Sequence, residues 1–213
     1  MPTPRRYAGT AVLDGKLYAV GGLNEADTLN SNPVERYDFA TKAWEAAAPL
    51  VTPHENHELA VLDGKLYAVG GYNDDDDQFV SSVERYDPAA NSWGAVAPMG
   101  TARGEHGVAV LDGKLYAVGG YDGDYNVLSS VERYDPALDA WEAVAPLTLA
   151  RFGAGVAALE GKLYAVGGRV EEEEEAEVDR PANTVERYDP ASNAWEEVAP
   201  MATARLFAVA LLM

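Results

Sequence analysis

Short apolar runs separated by polar turn residues follow one another along the whole chain. An Asp-Gly or Glu-Gly pair separates the first two runs of each period, and such pairs favour hairpins because glycine accepts the positive φ of a tight turn. No stretch has the spacing of an amphipathic helix. The pattern predicts four short antiparallel strands to a period, which in one period are Gly107–Leu111, Leu115–Val118, Val131–Tyr134 and Trp141–Ala145.

The same period occurs four times. Its first marker is DGKLYAVGG, or EGKLYAVGG in the last copy, at Asp14–Gly22, Asp63–Gly71, Asp112–Gly120 and Glu160–Gly168. The second is VERYD, at Val34–Asp38, Val83–Asp87, Val131–Asp135 and Val185–Asp189. The third is a tryptophan, at Trp44, Trp93, Trp141 and Trp195. A four-stranded unit that is apolar on both faces is not stable alone, so the copies are expected to stack around an axis as propeller blades.

The double glycine after an apolar strand, the ERYD segment and the tryptophan at a fixed offset together resemble the kelch repeat. The resemblance covers nearly the whole chain and implies an all-β fold, a β-propeller of four-stranded antiparallel kelch-type blades. We expect a single domain over residues 1–213. Its blades are predicted at about 5–49, 54–98, 103–146 and 151–200, with an extra first strand at 204–212.

The extra strand leaves the closure of the propeller open. Three interpretations are open: a fragment of a longer array, a four-bladed ring with a surplus or swapped strand, and an open arc that pairs with a second copy. We favour the fragment or the arc, because the extra strand has no later hairpin partner in the sequence. Self-association through this C-terminal strand is therefore expected, since an unpaired strand exposes sheet edge.

Composition narrows the classes of partner. The chain of 213 residues is 47% hydrophobic, enough for a sizeable core, and its apolar runs are too short for a membrane helix or a signal peptide. We therefore expect a cytoplasmic protein. It has no cysteine, which excludes disulfides and Cys-based zinc sites. The net charge of −19 argues against nucleic acid and anionic membranes as partners, because both are bound through clustered Lys and Arg.

Residues that recur in all copies are interpreted as structural, and residues that differ at equivalent positions as candidates for specificity. The recurring aromatic residues, such as Tyr18 and Trp93, are expected to pack between blades. The Glu and Arg of each VERYD segment, such as Glu132 and Arg133, are expected to form ion pairs or backbone hydrogen bonds within or between blades.

Variable residues concentrate in two sets of loops that share one end of the blades. These are the loop between the second and third strands and the connection that enters each blade, and in the kelch adaptors that the chain resembles they form the partner-binding face. We expect a rim of acidic side chains around inner arginines. By the same resemblance, Arg5, Arg103, Arg151 and Arg205 would grip an acidic motif, whereas the outer acidic loops would favour basic segments, and the sequence leaves both open. The predicted partner-binding residues are Arg5, Arg6, His54, Asn56, Asp74, Asp75, Arg103, Glu105, Asp124, Tyr125, Arg151, Phe152 and Arg205.

The three histidines of the chain form a separate candidate. His57 and His106 hold equivalent positions in adjacent blades, Glu105 precedes His106, and His54 stands where other copies have arginine. If they converge, His57, His106 and Glu105 offer the donor atoms that zinc prefers. The alternative is histidines that line the channel and bond to backbone and water. In a regular strand His54 and His57 should face opposite ways, because they are three residues apart.

No nucleophile elbow, zinc-protease motif or phosphate loop is present, and no cofactor is expected. The favoured interpretation is a non-catalytic protein–protein interaction module that presents variable loops to a protein or peptide, as kelch substrate adaptors do. One alternative is a metal-binding or metal-dependent enzyme that uses His54, His57 and His106. Another is a designed or recently duplicated repeat array without a selected partner.

Overall fold

The structure is a computed structural model that describes residues 1–23, 33–73, 75–170 and 181–206. Within these ranges the regular structure consists of β-strands, as the sequence predicts. No helix in this part of the chain is long and apolar enough to cross a membrane. The predicted extra strand at 204–212 falls mainly on residues outside the described ranges, so the strand and the self-association expected from it stay predictions.

Each repeat forms an antiparallel sheet in which the four strands lie side by side in chain order. The strands of blade 1 are β1 (Gly9–Leu13), β2 (Lys16–Val20), β3 (Val34–Asp38) and β4 (Ala43–Ala47). Those of blade 2 are β5 (Glu58–Leu62), β6 (Lys65–Val69), β9 (Val83–Asp87) and β10 (Ser92–Val96), and between β6 and β9 a small hairpin forms from β7 (Tyr72–Asn73) and β8 (Gln78–Phe79).

Blades 3 and 4 repeat this arrangement. Blade 3 has β11 (Gly107–Leu111), β12 (Lys114–Val118), β13 (Val131–Asp135) and β14 (Ala140–Val144). Blade 4 has β16 (Gly155–Leu159), β17 (Lys162–Val166), β19 (Val185–Asp189) and β20 (Ala194–Val198), with a short accessory pair of β15 (Arg151–Phe152) and β18 (Arg169–Val170). The predicted strands of the third repeat differ from the observed ones by one residue at most.

The hairpin turns form as the Asp-Gly pairs predict. In blade 1, Asp14 and Gly15 both have positive φ, 49° and 71°. Positive φ at both central residues is typical of the tight hairpin turn whose twist matches that of the flanking strands. The double glycines also act as predicted, by letting backbones approach closely. A Cβ atom on Gly21 would lie 2.6 Å from the carbonyl oxygen of His54, too close for any side chain.

The chain divides into two compact units, Met1–Gly104 and Glu105–Met213. The first contains blades 1 and 2, and the second blades 3 and 4. Whether the whole of 1–213 behaves as the predicted single domain stays a prediction. In each unit the core lies between its two blades. One cluster joins Leu13 and Tyr18 of blade 1 to Leu66 and Tyr86 of blade 2.

The second unit has an equivalent core, in which Leu111 and Tyr116 of blade 3 pack with Leu163 and Tyr188 of blade 4. A tryptophan also forms a hydrogen bond between the two blades of each unit. The indole nitrogen of Trp93 donates to the carbonyl of Ala48 at 3.0 Å, and that of Trp195 donates to Ala145 at 2.9 Å. The prediction that recurring aromatic residues pack between blades is confirmed at these two junctions.

Candidate functional site: the loop ends of the blades

The antiparallel order of strands gives every blade two ends. We call the end with the loop from the second to the third strand, together with the connection that enters the blade, its loop end. The opposite end, with the Asp-Gly or Glu-Gly hairpin and the turn from the third to the fourth strand, is its turn end. Most of the predicted partner-binding residues belong to loop ends.

The arginine that begins blade 1 is bound inside the blade. Arg5 Nη1 donates to the carbonyls of Gly21 and Pro33 at 3.1 and 2.6 Å. Its Nη2 donates to the carboxylate of Glu35 at 2.7 Å, and the Arg5 side chain is only 1% exposed. We call this arrangement, in which the first residue of a blade bonds the double-glycine carbonyl and the VERYD glutamate, the latch.

Blade 4 has the same latch. Arg151 Nη1 donates to the carbonyls of Gly167 and Thr184 at 2.9 and 3.4 Å, and Nη2 donates to Glu186 at 2.6 Å. The other carboxylate oxygen of Glu186 accepts the backbone N–H of Thr148, at 2.6 Å, in the connection from blade 3. The latch therefore fixes both the start of the blade and the segment that leads into it.

The expectation that inner arginines grip a partner is wrong for three of the four. Arg103 and Arg151 are fully buried, and Arg5 has its side chain enclosed by the latch. A buried guanidinium that already bonds the protein cannot reach an external carboxylate. Arg205 is exposed, and its backbone bonds to Ala182 and Gly168 in the way that Arg151 bonds to Leu128 and Gly120. A binding role for Arg205 stays a prediction.

His54 occupies the latch position of blade 2. Its Nδ1–H donates to the carbonyl of Gly70 at 2.9 Å, so in the neutral ring Nε2 accepts from the hydroxyl of Ser82 at 3.2 Å. Glu84, the VERYD glutamate, accepts the backbone N–H groups of Val51 and Thr52 at 2.8 Å each. Burial lowers the pKa of His54, and the charge of Glu84 partly opposes this. His54 is thus a structural residue, and the prediction that it contacts a partner is wrong.

His57 packs beside His54, with ring centroids 6.2 Å apart. The expectation that these rings face opposite ways is wrong, because residues 54–57 precede β5 and Asn56 has a φ of 51° that breaks strand alternation. Burial lowers the pKa of His57 to about 3, and the charge of the neighbouring His54 contributes a smaller part of this shift.

The predicted metal ligands lie in different units, His57 in the first and Glu105 and His106 in the second. Among the described residues, no group of three or more His, Asp or Glu side chains is gathered as a metal site would require. His57 and His106 are both buried. The metal site therefore has no support from this part of the chain and stays a prediction.

The backbone of each loop end takes a left-handed conformation two residues after the latch position. The φ values are 58° at Tyr7, 51° at Asn56, 52° at Glu105 and 59° at Gly153. In the first unit the N–H of Asn56 donates to the carbonyl of Tyr7 at 3.2 Å, and in the second that of Gly153 donates to Glu105 at 2.8 Å. Tyrosine and glutamate rarely adopt this conformation, and such residues cluster at binding sites. The sequence gives little sign of it, because only Asn56 and Gly153 are residue types that favour positive φ.

The loop of blade 2 is ordered by its own polar side chains. Tyr72 stacks edge-on against Phe79 with centroids 5.3 Å apart, and its hydroxyl donates to Asp77. Asn73 donates to Asp76 at 2.8 Å and accepts from the backbone N–H of Asp75 at 3.0 Å. The predicted contact residue Asp75 is exposed, whereas Asp74 lies outside the described residues.

The loop of blade 3 presents an exposed tyrosine on a tight turn. Asp122 Oδ1 accepts the backbone N–H groups of Asp124 and Asn126, at 2.9 Å each, and Tyr125 N–H donates to the Asp122 carbonyl at 3.1 Å. Tyr125 has a φ of 62° and is 64% exposed. The predicted contact residues Asp124 and Tyr125 are thus both accessible at a fixed place.

Blade 4 adds a buried ring beneath this loop. Phe152 is only 5% exposed, and its ring centroid lies 4.2 Å from that of Tyr121. The guanidinium of Arg169 lies over the Phe152 ring, 5.7 Å from its centroid. Burial raises the pKa of Glu105, and the charge of Arg169 partly opposes this. Phe152, predicted as a contact residue, instead supports the residues above it. The exposed Arg6 of blade 1 likewise lies 5.3 Å over Tyr7.

These blades, with their hairpins, double glycines and inter-blade tryptophans, define a kelch-type β-propeller. The family model described as the Attractin/LZTR1 beta-propeller matches residues 1–212. The chain therefore belongs to this family of kelch-repeat propellers, as the motifs predict.

Solved and curated proteins agree with this assignment. The solved structure of YjhT superposes with a TM-score of 0.83 over 97% of this chain and 73% of that one, at 17% identity, which shows the fold alone. The influenza virus NS1A-binding protein homolog of Xenopus laevis is 41% identical over 61 residues, 27% of this chain. Kelch-like protein 41a of Danio rerio is 48% identical over 48 residues, 22% of this chain. The chain thus matches only a small part of these relatives, 9% and 8% of their lengths.

Proposed function

We propose that the chain is a non-catalytic protein-interaction module whose loop ends bind a protein or peptide. The observation that carries the proposal is the exposure of Tyr7 and Tyr125, 52% and 64%, on backbone held in the left-handed conformation. Large aromatic side chains on a rigid backbone give contact area at little cost in conformational entropy. Aromatic residues, tyrosine among them, are enriched in protein interfaces and at the positions that contribute most of the binding energy.

The latches also support this proposal, because they hold the loop ends in place. Arg5 and Arg151 tie the start of a blade to the double glycine and to the VERYD glutamate, so the loops above them are anchored to the sheet. A scaffold that fixes its loops in this way suits recognition, because binding then orders few additional residues. The Xenopus relative is itself a binding protein by name, and relatives with kelch repeats favour an interaction role here.

The test compares two matched double variants. Tyr7→Ser with Tyr125→Ser removes one exposed aromatic residue from the loop end of each unit. Phe39→Ser with Leu138→Ser removes one exposed apolar residue, 60% and 74% exposed, from the turn end of each unit. A random peptide library displayed on phage is selected on the unsubstituted protein, and every enriched clone is measured against both variants.

The proposal expects most enriched peptides to lose binding to the loop-end variant and to keep it for the turn-end variant. Circular dichroism and thermal unfolding of both variants check that the fold is intact. Enrichment of peptides that depend on Phe39 and Leu138, and not on Tyr7 and Tyr125, would contradict the proposal.

A further inference from the structure

The loop end of the second unit carries an aromatic shelf, formed by Tyr121, Tyr125 and Phe152. The rings of Tyr121 and Phe152 lie 4.2 Å apart and those of Tyr121 and Tyr125 6.3 Å apart, so the three form a row from buried Phe152 to exposed Tyr125. Tyr121 is also held by a β-bridge to Val127. The row therefore offers one accessible ring face on a rigid support.

The charge beside the exposed end of the shelf is negative. Asp124 is exposed and adjacent to Tyr125, and hydrogen bonds from Asn126 lower the pKa of Asp122, which keeps its carboxylate ionised at neutral pH. At the buried end, Arg169 lies over Phe152, and its charge interacts with Glu105. The cation over the Phe152 ring, Arg169, therefore has a carboxylate, that of Glu105, near it. At the exposed end, the ring of Tyr125 is flanked by the aspartates Asp122 and Asp124.

The chain already contains the contact that such a surface would make. Arg169 over Phe152 at 5.7 Å and Arg6 over Tyr7 at 5.3 Å are both guanidinium groups resting on aromatic rings. A cation over a ring is attracted by the electron-rich face, and neighbouring carboxylates add to the attraction. The net charge of −19 favours approach of a basic rather than an acidic partner.

Resting on the proposed function, we propose that the shelf binds a partner segment that carries an arginine, whose guanidinium stacks on Tyr125 and pairs with Asp124. This departs from the acidic motif expected of the inner arginines, because Arg5, Arg103 and Arg151 are buried, and it follows the alternative that the acidic loops favour a basic segment. Arginine suits the site better than lysine, since its planar group both stacks on a ring and bonds a carboxylate.

The test measures fluorescence anisotropy of two labelled peptides of equal length, a fourfold repeat of Ser-Gly-Arg and a fourfold repeat of Ser-Gly-Glu. The proposal expects the arginine peptide to bind the unsubstituted protein and the glutamate peptide not to bind. Tyr125→Ala should weaken binding of the arginine peptide about fivefold, the loss of one cation–ring contact. Tyr125→Phe, which keeps the ring, should bind as the unsubstituted protein does.

Two further variants separate the shelf from diffuse attraction by an acidic protein. Asp124→Asn should weaken binding and reduce its dependence on salt between about 0.05 and 0.5 M. Leu138→Ala, at the turn end of the same blade, should leave binding unchanged. Equal binding by Tyr125→Ala and the unsubstituted protein, or tighter binding of the glutamate peptide, would overturn the proposal. Either result leaves the loop ends as a binding surface intact, because the phage selection does not depend on the charge of the peptide.

Discussion

The guanidinium of Arg151 donates to the carboxylate of Glu186 across 2.6 Å, with the two side chains 0% and 2% exposed. Arg5 and Glu35 make the same contact in blade 1 at 2.7 Å. Both pairs lie directly beneath loop ends, so the geometry of the loops depends on ion pairs that are almost completely buried. An ion pair in such a place is costly to break, because one charge is left buried without its partner.

Arg151→Met should therefore destabilise the protein by about 3–5 kcal/mol, since Glu186 loses its charged partner and keeps its burial. The matched control is Arg133→Met, which breaks the surface pair with Glu142, whose side chains are 25% and 57% exposed. This control should cost about 1 kcal/mol or less. Denaturant unfolding measures both, and equal costs would show that the latch does not hold blade 4.

His54→Arg should stabilise the protein by about 1–2 kcal/mol, because it supplies blade 2 with the latch that Arg5 and Arg151 make in their blades. The new guanidinium would reach Glu84 and the carbonyl of Gly70. His54→Ala is the control and should destabilise, since it leaves the Gly70 carbonyl without its donor. A lower melting temperature for His54→Arg than for the unsubstituted protein would contradict the equivalence of the latches.

His57 should make the fold sensitive to acid. Its pKa is about 3 in the folded state against an ordinary value of 6.5, so between these values the unfolded chain binds more protons. Its contribution to stability is therefore present above pH 6.5 and is lost as the pH falls towards 3. His57→Ala, which places there the residue found in blades 1 and 4, should flatten the dependence of the unfolding free energy on pH in this range.

Comparing the two curves isolates His57 from its neighbour. Glu58 stays accessible to solvent on β5, yet desolvation raises its pKa to about 7. This shift changes stability in the opposite sense, because the folded state binds more protons than the unfolded chain between about pH 4.5 and 7. The stability that Glu58 contributes is therefore lost as the pH rises through this range. Both proteins contain Glu58, so the difference between them reports on the histidine. Curves of equal slope between pH 3 and 6.5 would show that His57 is not desolvated in the folded state.

Equivalent leucines of the second unit should differ in their effect on stability. Leu111 is 5% exposed in the core between blades 3 and 4, whereas Leu159 is 47% exposed at the same position of blade 4. Leu111→Ala should cost about 2–5 kcal/mol, because it opens a cavity. Leu159→Ala should cost about 1 kcal/mol or less. An equal loss in both variants, measured by denaturant unfolding, would indicate that another surface covers Leu159 in solution.

The sequence predicts the framework well because its signals are local. Asp14-Gly15 requires a tight turn, the double glycines leave no room for side chains, and tryptophans at a fixed offset mark each fourth strand. These features need only residue type and spacing, so the strands and hairpins follow from them. The resemblance to the kelch repeat rests on the same residues, and the family match over residues 1–212 agrees with it.

The candidate site was predicted less well, because burial depends on long-range packing. Arg103 and Arg151 lie in the connections that form the partner-binding face of kelch adaptors, so the resemblance predicts exposure, although arginine recurs at this position in every copy but one. The rule that recurring residues are structural, applied to the arginines as it is to the aromatic residues, predicts a structural role for them. The left-handed backbone at Tyr7 and Glu105 has no residue-type signal. The left-handed Asn56 brings His54 and His57 together against the expected alternation, which holds only within a regular strand.

The central claim, that a partner covers the loop ends, is tested most directly by hydroxyl-radical footprinting of the chain with a peptide from the phage selection. The account predicts that the peptide protects Tyr7 or Tyr125, or both, from oxidation, and leaves Phe39 and Leu138 at the turn ends as reactive as in the free protein. Protection of Phe39 and Leu138 with no change at Tyr7 and Tyr125 would contradict it.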